Sequence, residues 1–421
     1  MEDYTSLLQV SKCLTNERLS QALTDWFKEE CQFTHWEYVK GTGAGDSYMS
    51  ELMCIKIHGK NPKTDNPKHV QVILKSIPKG LCRRLTFRSN QFFENEIRFY
   101  EDVLPELIKF QATKNLKDPF VNCPRVFATY TDGENDYIIL GDATLENFVT
   151  AAVRQDGIDI EHCRVTLRTF AKFHAMSFAM KDQDPKGFER ISNRVVETYY
   201  LERHWPWYKK FWGRLCKIAI DAVEKEYPDS IYLDKIKEFA TPEAFNKCIE
   251  AVRNTKETGV ISHGDSWTTN FLYKYEKKVP VDAKMIDFQL SRYASPVLDI
   301  SFFIYACTTQ ELRLKHYDEL MKYYYDVLAS QIDEMGSDSK RVYSWDKYQE
   351  EVKKYSFFGL TFSMESTPFI VLDPEDAIDM DISGDKAIDI DDFWNVGYFK
   401  TKEGRLREAN NIVHCVDNGY I

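Results

Sequence analysis

The order of patterned segments is the strongest constraint on how this chain folds. Three short runs, HWEYVKG, SYMSELMCIKIHG and KHVQVILKSIP, are rich in Val, Ile and Tyr and are separated by Gly, Pro and Asn, which reads as three consecutive antiparallel strands. Residues 85–109 then place Phe92, Phe93, Ile97, Tyr100, Val103, Leu104 and Leu107 at intervals of three and four, predicting one amphipathic helix. Two further strand-like runs, PRVFATYT and NDYIILGD, follow. The order β-β-β-α-β-β therefore predicts a five-stranded antiparallel sheet with one main helix. Beyond Asp142 the pattern turns helical over 157–180, 199–226, 230–253 and 312–335, interrupted at 259–303 by loop and short strands. The expectation is an α+β chain in two lobes: a helical extension over 1–34, a sheet lobe over 35–142 and a mainly helical lobe over 143–421. At 421 residues, each lobe can bury a core of its own.

Composition narrows the function classes. With 55 basic against 66 acidic residues, the net charge of −11 offers a polyanion no global attraction, so no nucleic-acid partner is expected. Ten cysteines occur singly, without a C-x-x-C pair, which argues against a zinc ribbon or a disulfide scaffold and for reduced thiols in the cytoplasm. The N-terminus has neither a basic start nor an unbroken apolar run. No apolar stretch approaches the ~18–20 residues that a membrane span requires, so a soluble chain with no membrane partner is expected.

The interruption at 259–303 carries the densest chemistry. His263-Gly264-Asp265 is followed by Asn270, and seventeen residues later by Asp287 in Met285-Ile286-Asp287-Phe288-Gln289. A carboxylate, an asparagine five positions on and a second carboxylate after a β-type run supply a base and two hard-oxygen magnesium ligands, which is what phosphoryl transfer from ATP asks of a protein. Three parts remain to be found: a phosphate cradle, a lysine and its balancing acid. Gly41, Gly43 and Gly45, with Ser47 or Tyr48 beside them, lie between two predicted strands, where glycines let backbone N–H groups approach phosphate. Lys75, inside the apolar run HVQVILKSIP, is the candidate lysine, favoured over Lys56 because it lies on the third strand directly before the helix. Glu96 shares the apolar face of that helix, whereas Glu94 shares a face with Arg98 and Glu101 and should meet water. His263 is expected to orient the loop through its ring rather than transfer protons. Asp299, in SPVLDISFF, either caps an apolar helix or is a buried acceptor for the loop. His174 reads as a core histidine, since no carboxylate lies at i±3 or i±4.

Together HGDSWTTN, MIDFQ with SPVLDI after it, FAKFHAMS and EIRFYEDVLPEL resemble the ecdysteroid kinase-like family of insects, also called CHK kinase-like, within the aminoglycoside phosphotransferase and choline kinase group. The resemblance runs from about residue 35 to 310 and on through the C-terminal helices. It implies a bilobal protein-kinase-like fold, Asp265 as catalytic base, Asn270 and Asp287 as magnesium ligands, Lys75 with Glu96 as the phosphate-positioning pair, and Asp299 as the acid that organises the loop. The chain departs from the family at the hinge, where Leu140-Gly141-Asp142 lacks an acidic residue before the aspartate, and at Ser47, where the family often has Asn. Adenine contacts at such hinges run largely through backbone groups, so Leu140 and Asp142 remain candidates for nucleotide binding.

Only eleven residues separate Asp287 from Asp299, too few for the segment with which a protein kinase presents a peptide. The expected acceptor is therefore a small molecule: a steroid-like (ecdysteroid) or xenobiotic alcohol in an aromatic pocket, for which RHWPWYKKFW at 203–212 is the candidate lining. A cationic acceptor of choline, ethanolamine or aminoglycoside type is the alternative, kept open by the acidic segment 373–392, and an inactive nucleotide binder is the reading from another class.

Overall fold

The computed structural model describes residues 4–41, 50–151, 157–253, 257–371, 382 and 384–421. The three β-type runs form β1 (Gln32–Gly41), β2 (Glu51–Lys60) and β3 (Pro67–Ser76). With β4 (Val126–Tyr130) and β5 (Tyr137–Gly141) they make an antiparallel sheet of order β1-β2-β3-β5-β4. Period-2 alternation decides its two faces. Trp36, Ile55, Ile57, Val70, Val72 and Leu74 point to a small core shared with α1 (Asn16–Phe27), which contributes Leu19 and Leu23. The opposite face carries Lys75 toward the rest of the protein.

The helix expected over 85–109 is a series of pieces: α2 (Leu81–Phe87), α3 (Ser89–Arg98), a π turn at Phe99–Val103 and α4 (Leu104–Ala112). The break falls at Arg88, which is left-handed with φ 54°. Its guanidinium sits 4.2 Å from the Trp207 ring and donates to the Thr198 carbonyl at 2.6 Å. A tertiary anchor holds this residue out of helical geometry, and no local pattern marks it.

The helical part is built on α5 (Ile160–Gln183), α6 (Trp205–Glu226), α7 (Pro296–Cys307) and α8 (Gln310–Glu334). The single helix expected over 230–253 is two, Ile231–Phe239 and Pro242–Arg253, because Pro242 disfavours helical geometry in the residue before it. Helices that the periodicity did not mark include α9 (Phe357–Ile370), apolar on every side and therefore without a helical stripe. It lies directly against α7: a Cβ at Gly359 would stand 2.3 Å from the Ser301 carbonyl oxygen. Between the helices run β6 (Phe148–Thr150), β7 (Val260–Ser262), β8 (Phe271–Glu276), β9 (Val279–Met285) and β10 (Arg292–Ala294). They pair as β6-β8-β9 and β7-β10. A large continuous core joins these helices to Phe92, Phe93 and Ile97 of α3 and to Ile138 and Leu140 of β5. Among the described residues no helix is long and apolar enough to cross a membrane, and none of the ten cysteines is in a disulfide.

Candidate active site

The loop after β7 is held by one buried carboxylate. Asp299, 1% exposed, accepts the backbone N–H of His263 at 2.7 Å and of Gly264 at 2.8 Å, the Ser266 hydroxyl at 3.1 Å and the His174 ring at 3.1 Å. Burial works against the charged form, but these donors and the two histidines hold the Asp299 carboxyl below its ordinary range. It does not cap α7; Ser295 does, accepting the Val297 N–H. His174 is the core histidine its flanks suggested, and its second nitrogen meets the Tyr324 hydroxyl at 2.8 Å.

His263 links this loop to the next. Its Nε2 donates to the Ile286 carbonyl at 2.9 Å, and its Nδ1 accepts the Asp265 N–H at 3.2 Å. Those partners require one neutral tautomer, and burial keeps the ring neutral by pushing its pKa down. Gly264 between them has φ +84°, and a Cβ there would lie 2.0 Å from the Leu290 carbonyl oxygen. Gly264→Ala should therefore push the two loops apart. With ~10²-fold lost per ångström of misplacement, turnover should drop by at least that factor while far-UV circular dichroism stays unchanged.

Asn270 donates through Nδ2 to both the Asp265 carboxylate and its backbone carbonyl, each at 2.9 Å. Its own carbonyl accepts the Ile286 N–H at 3.1 Å, and the pairing of Phe271 with Met285 across β8 and β9 brings Asp287 alongside. Asp287 is left-handed, φ 66°, a conformation that a non-glycine residue holds only where its surroundings impose it. The surroundings are visible. The Phe288 ring stacks on Phe99 at 3.8 Å and tilts against His263 at 4.5 Å. Asn95 of α3 donates to the carbonyls of Gln289 and Ser291 at 3.1 and 2.8 Å.

From the sheet side, Lys75 Nζ donates to Glu96 at 2.6 Å and to Asp287 Oδ1 at 2.7 Å. Burial alone would lower the Lys75 pKa, yet the two carboxylates overturn that and hold the ammonium charged. Glu96 is buried, whereas Glu94 is exposed and paired with Arg98. The rival Lys56 lies opposite Glu37 and Gln71, away from this cluster. Burial, helped by the charges of Asp287 and Glu365, pushes the Asp265 carboxyl up to about 7, against hydrogen bonds from Asn270 and Gln289.

The structure thus brings together Lys75, Glu96, Asp265, Asn270, Asp287, His263 and Asp299. Gly43, Gly45, Ser47 and Tyr48 lie outside the described residues. Leu140 is a core residue of β5. Asp142 accepts Gln71 Nε2 at 2.6 Å and the Thr144 N–H and hydroxyl at 2.9 and 2.7 Å, so its carboxylate is committed to the turn after β5. Two residues were not singled out from the sequence. Asn95 bears no local mark. Glu365 does: it is the lone charge in FFGLTFSMESTPFIV. It accepts the Tyr199 hydroxyl at 2.7 Å and the Tyr208 hydroxyl at 2.6 Å, and its charge reaches Asp265. As a test for magnesium, the donors suit: the amide oxygen of Asn270 and the second carboxylate oxygen of Asp287 accept no hydrogen bond among the described residues, and both are hard oxygens.

An antiparallel five-stranded sheet whose lysine pairs with a helix glutamate, set against a helical lobe, defines a protein-kinase-like fold. The chain belongs to the ecdysteroid kinase-like family, whose profile matches residues 44–337. It is accordingly a small-molecule kinase, a nucleotide-binding phosphotransferase acting on a hydroxyl group. No curated protein matches it. Solved structures similar to it include the GDP complex of wild-type aminoglycoside 2'-phosphotransferase-IIIa, at 13% identity over 84% of this chain and 91% of that one, TM-score 0.38. Others are an ethanolamine kinase of Plasmodium vivax, at 11% over 80% and 74%, TM-score 0.37, and choline kinase LicA of Streptococcus pneumoniae, at 13% over 84% and 98%, TM-score 0.33. Likenesses this loose carry no argument about substrate.

Proposed function

We propose that this kinase uses ATP and Mg²⁺ to phosphorylate a hydroxyl of a steroid-like or xenobiotic alcohol, with Asp265 as the base that accepts the hydroxyl proton. The observation that carries the reading is the convergence of Lys75, Asp265, Asn270 and Asp287 from three separate parts of the chain. In this reading Lys75, oriented by Glu96, positions phosphate oxygens, and Asn270 and Asp287 hold the metal. Magnesium, when bound, neutralises the charge that develops on the phosphoryl oxygens. Asp299 and His263 act through the backbone, keeping Asp265 and Asp287 in register. Leu140 and the backbone of Asp142 would meet the adenine, and Gly43, Gly45 and Ser47 the phosphates. The short interval from Asp287 to Asp299 argues against a protein substrate, and ten cysteines without a disulfide argue for a cytoplasmic location.

The acceptor reading rests on the aromatic surroundings of Glu365. Tyr199 and Tyr208 donate to it, and Trp207, part of the 203–212 cluster, packs 5.7 Å from Tyr199. An aromatic wall with few polar anchors suits a neutral polyol. One observation favours a cationic acceptor instead: Glu365 is itself a carboxylate among aromatic rings. Against that, the acidic segment contributes little where it is described, since Asp391 is paired with Arg214 and Asp392 with Lys210.

Measuring ATP consumption with ecdysteroids, phenolic glycosides, choline and an aminoglycoside decides between them; turnover confined to the cationic members overturns the neutral-alcohol reading. Glu365→Gln keeps the hydrogen-bonding shape and removes the charge. With a neutral acceptor its KM should change by less than roughly tenfold, about the weight of one hydrogen bond, and a larger rise would identify a cation.

A further inference from the structure

We propose that the sheet lobe carries a transition-metal site, of the zinc class, built from His35, Glu37 and His58 at the end of the sheet remote from Lys75. The strand register makes the cluster. His35 on β1 lies directly opposite His58 on β2, and His58 lies directly opposite His69 on β3. Directly opposed residues project to the same face of a sheet, so three imidazoles stand in one row. Glu37, two residues along β1, joins them on that face. It is the face that bears Lys75, but His69 lies six residues before Lys75 on β3, or about 20 Å at strand rise. The cluster is therefore separate from the phosphotransfer residues.

The donor atoms already stand near the separations a metal would impose. Glu37 places one carboxylate oxygen 3.8 Å from His35 Nε2 and the other 3.5 Å from His58 Nε2. One donor atom from each of the three residues lies within 4.8 Å of the others. Tetrahedral zinc with bonds of about 2.0–2.2 Å holds its donors roughly 3.3–3.6 Å apart, so the donor separations lie within side-chain reach of a site. The two imidazoles stack at 4.3 Å with their planes 8° apart, so one ring must turn about its side-chain bonds for both in-plane lone pairs to meet one metal.

A second observation concerns the lone pair. His58 Nε2 is buried and has no hydrogen-bond partner, an arrangement that costs free energy unless something occupies that nitrogen. Two imidazoles and a carboxylate form the donor set of zinc sites that leave one position open. Two ligands on the edge strand β1 and one on β2 would clip the first hairpin of the sheet. This site does not depend on the acceptor reading above.

The test uses the full chain, stripped with a chelator and titrated with Zn²⁺ by calorimetry and with Co²⁺ by visible absorption. The expected result is one Zn²⁺ per chain at this site, a tetrahedral Co²⁺ spectrum and a Tm that rises with added Zn²⁺. The double variant His35→Gln/His58→Gln should lose all three, and Glu37→Gln, which removes a charged ligand, should weaken binding by more than the roughly 10–100-fold that loss of an outer-shell partner costs. These side chains are partly exposed, and metal-free variants should melt where metal-free wild type melts. Asp287→Asn, at the other site, should bind Zn²⁺ as wild type does. Absence of Zn²⁺ binding in wild type overturns the proposal, as does binding that survives the double variant or disappears with Asp287→Asn.

Discussion

Asp265→Asn should lower kcat by about 10²–10⁴-fold, the usual worth of a general base, while nucleotide affinity stays within a few-fold of wild type. The asparagine keeps the size and the Asn270 contact but cannot take the acceptor's proton. Two pH measurements sharpen the test. Since burial pushes the Asp265 carboxyl up to about 7, the base becomes competent only as it ionises, and kcat/KM of the wild type should rise through pH 7 and level off above it. The stability consequence has the opposite sense. The folded chain retains a proton there that the unfolded chain releases near the ordinary carboxylate value of about 4. This group's contribution to stability therefore falls as pH rises from about 4 to 7. Asp265→Asn should remove that decline, so its Tm should gain on wild type across the window. Wild-type turnover in the variant, or an unaltered acid limb of its pH profile, would remove Asp265 from the role of base.

Lys75→Met should cost both activity and stability. The ammonium stands between two carboxylates, Glu96 at 2.6 Å and Asp287 at 2.7 Å. Removing one member of a buried ion pair typically costs about 3–5 kcal/mol, because the partner is left charged and unpaired. Asp287 is partly exposed and recovers some hydration, so the cost falls mainly on Glu96. Calorimetric unfolding should show a clear drop in Tm, and turnover should fall to background. The double variant Lys75→Met/Glu96→Leu should recover much of the lost stability, since the orphaned charge is gone, yet recover no activity. A Lys75→Met protein as stable as wild type would mean that the pair is not buried as the structure has it.

Several features were legible in the residues because their determinants are local or short in range. The alternation along β2 and β3, the apolar stripe through Phe92, Phe93 and Ile97, and the spacing of Asp265, Asn270 and Asp287 each survive translation into three dimensions. Lys75 and Glu96 could be paired because strand and helix periodicities predict which way each side chain points. Other features were invisible for an equally physical reason. Arg88 breaks its helix because Trp207 and Thr198 hold it from more than a hundred residues away. Helix α9 is apolar all round, so it has no stripe to detect.

By itself, then, the amino-acid sequence determined the order of strands and main helix in the sheet lobe, the two-lobed architecture and the set of polar groups available for phosphoryl transfer, since strand and helix periods are properties of neighbouring residues. The tertiary structure alone decided how those groups meet. Asp299 accepts the loop's backbone N–H groups, His263 ties that loop to Ile286, Asn95 holds the turn after Asp287, and Glu365 enters the field of Asp265. Each of these is a contact between distant segments, whose energy depends on burial and hydrogen-bond geometry that only packing creates.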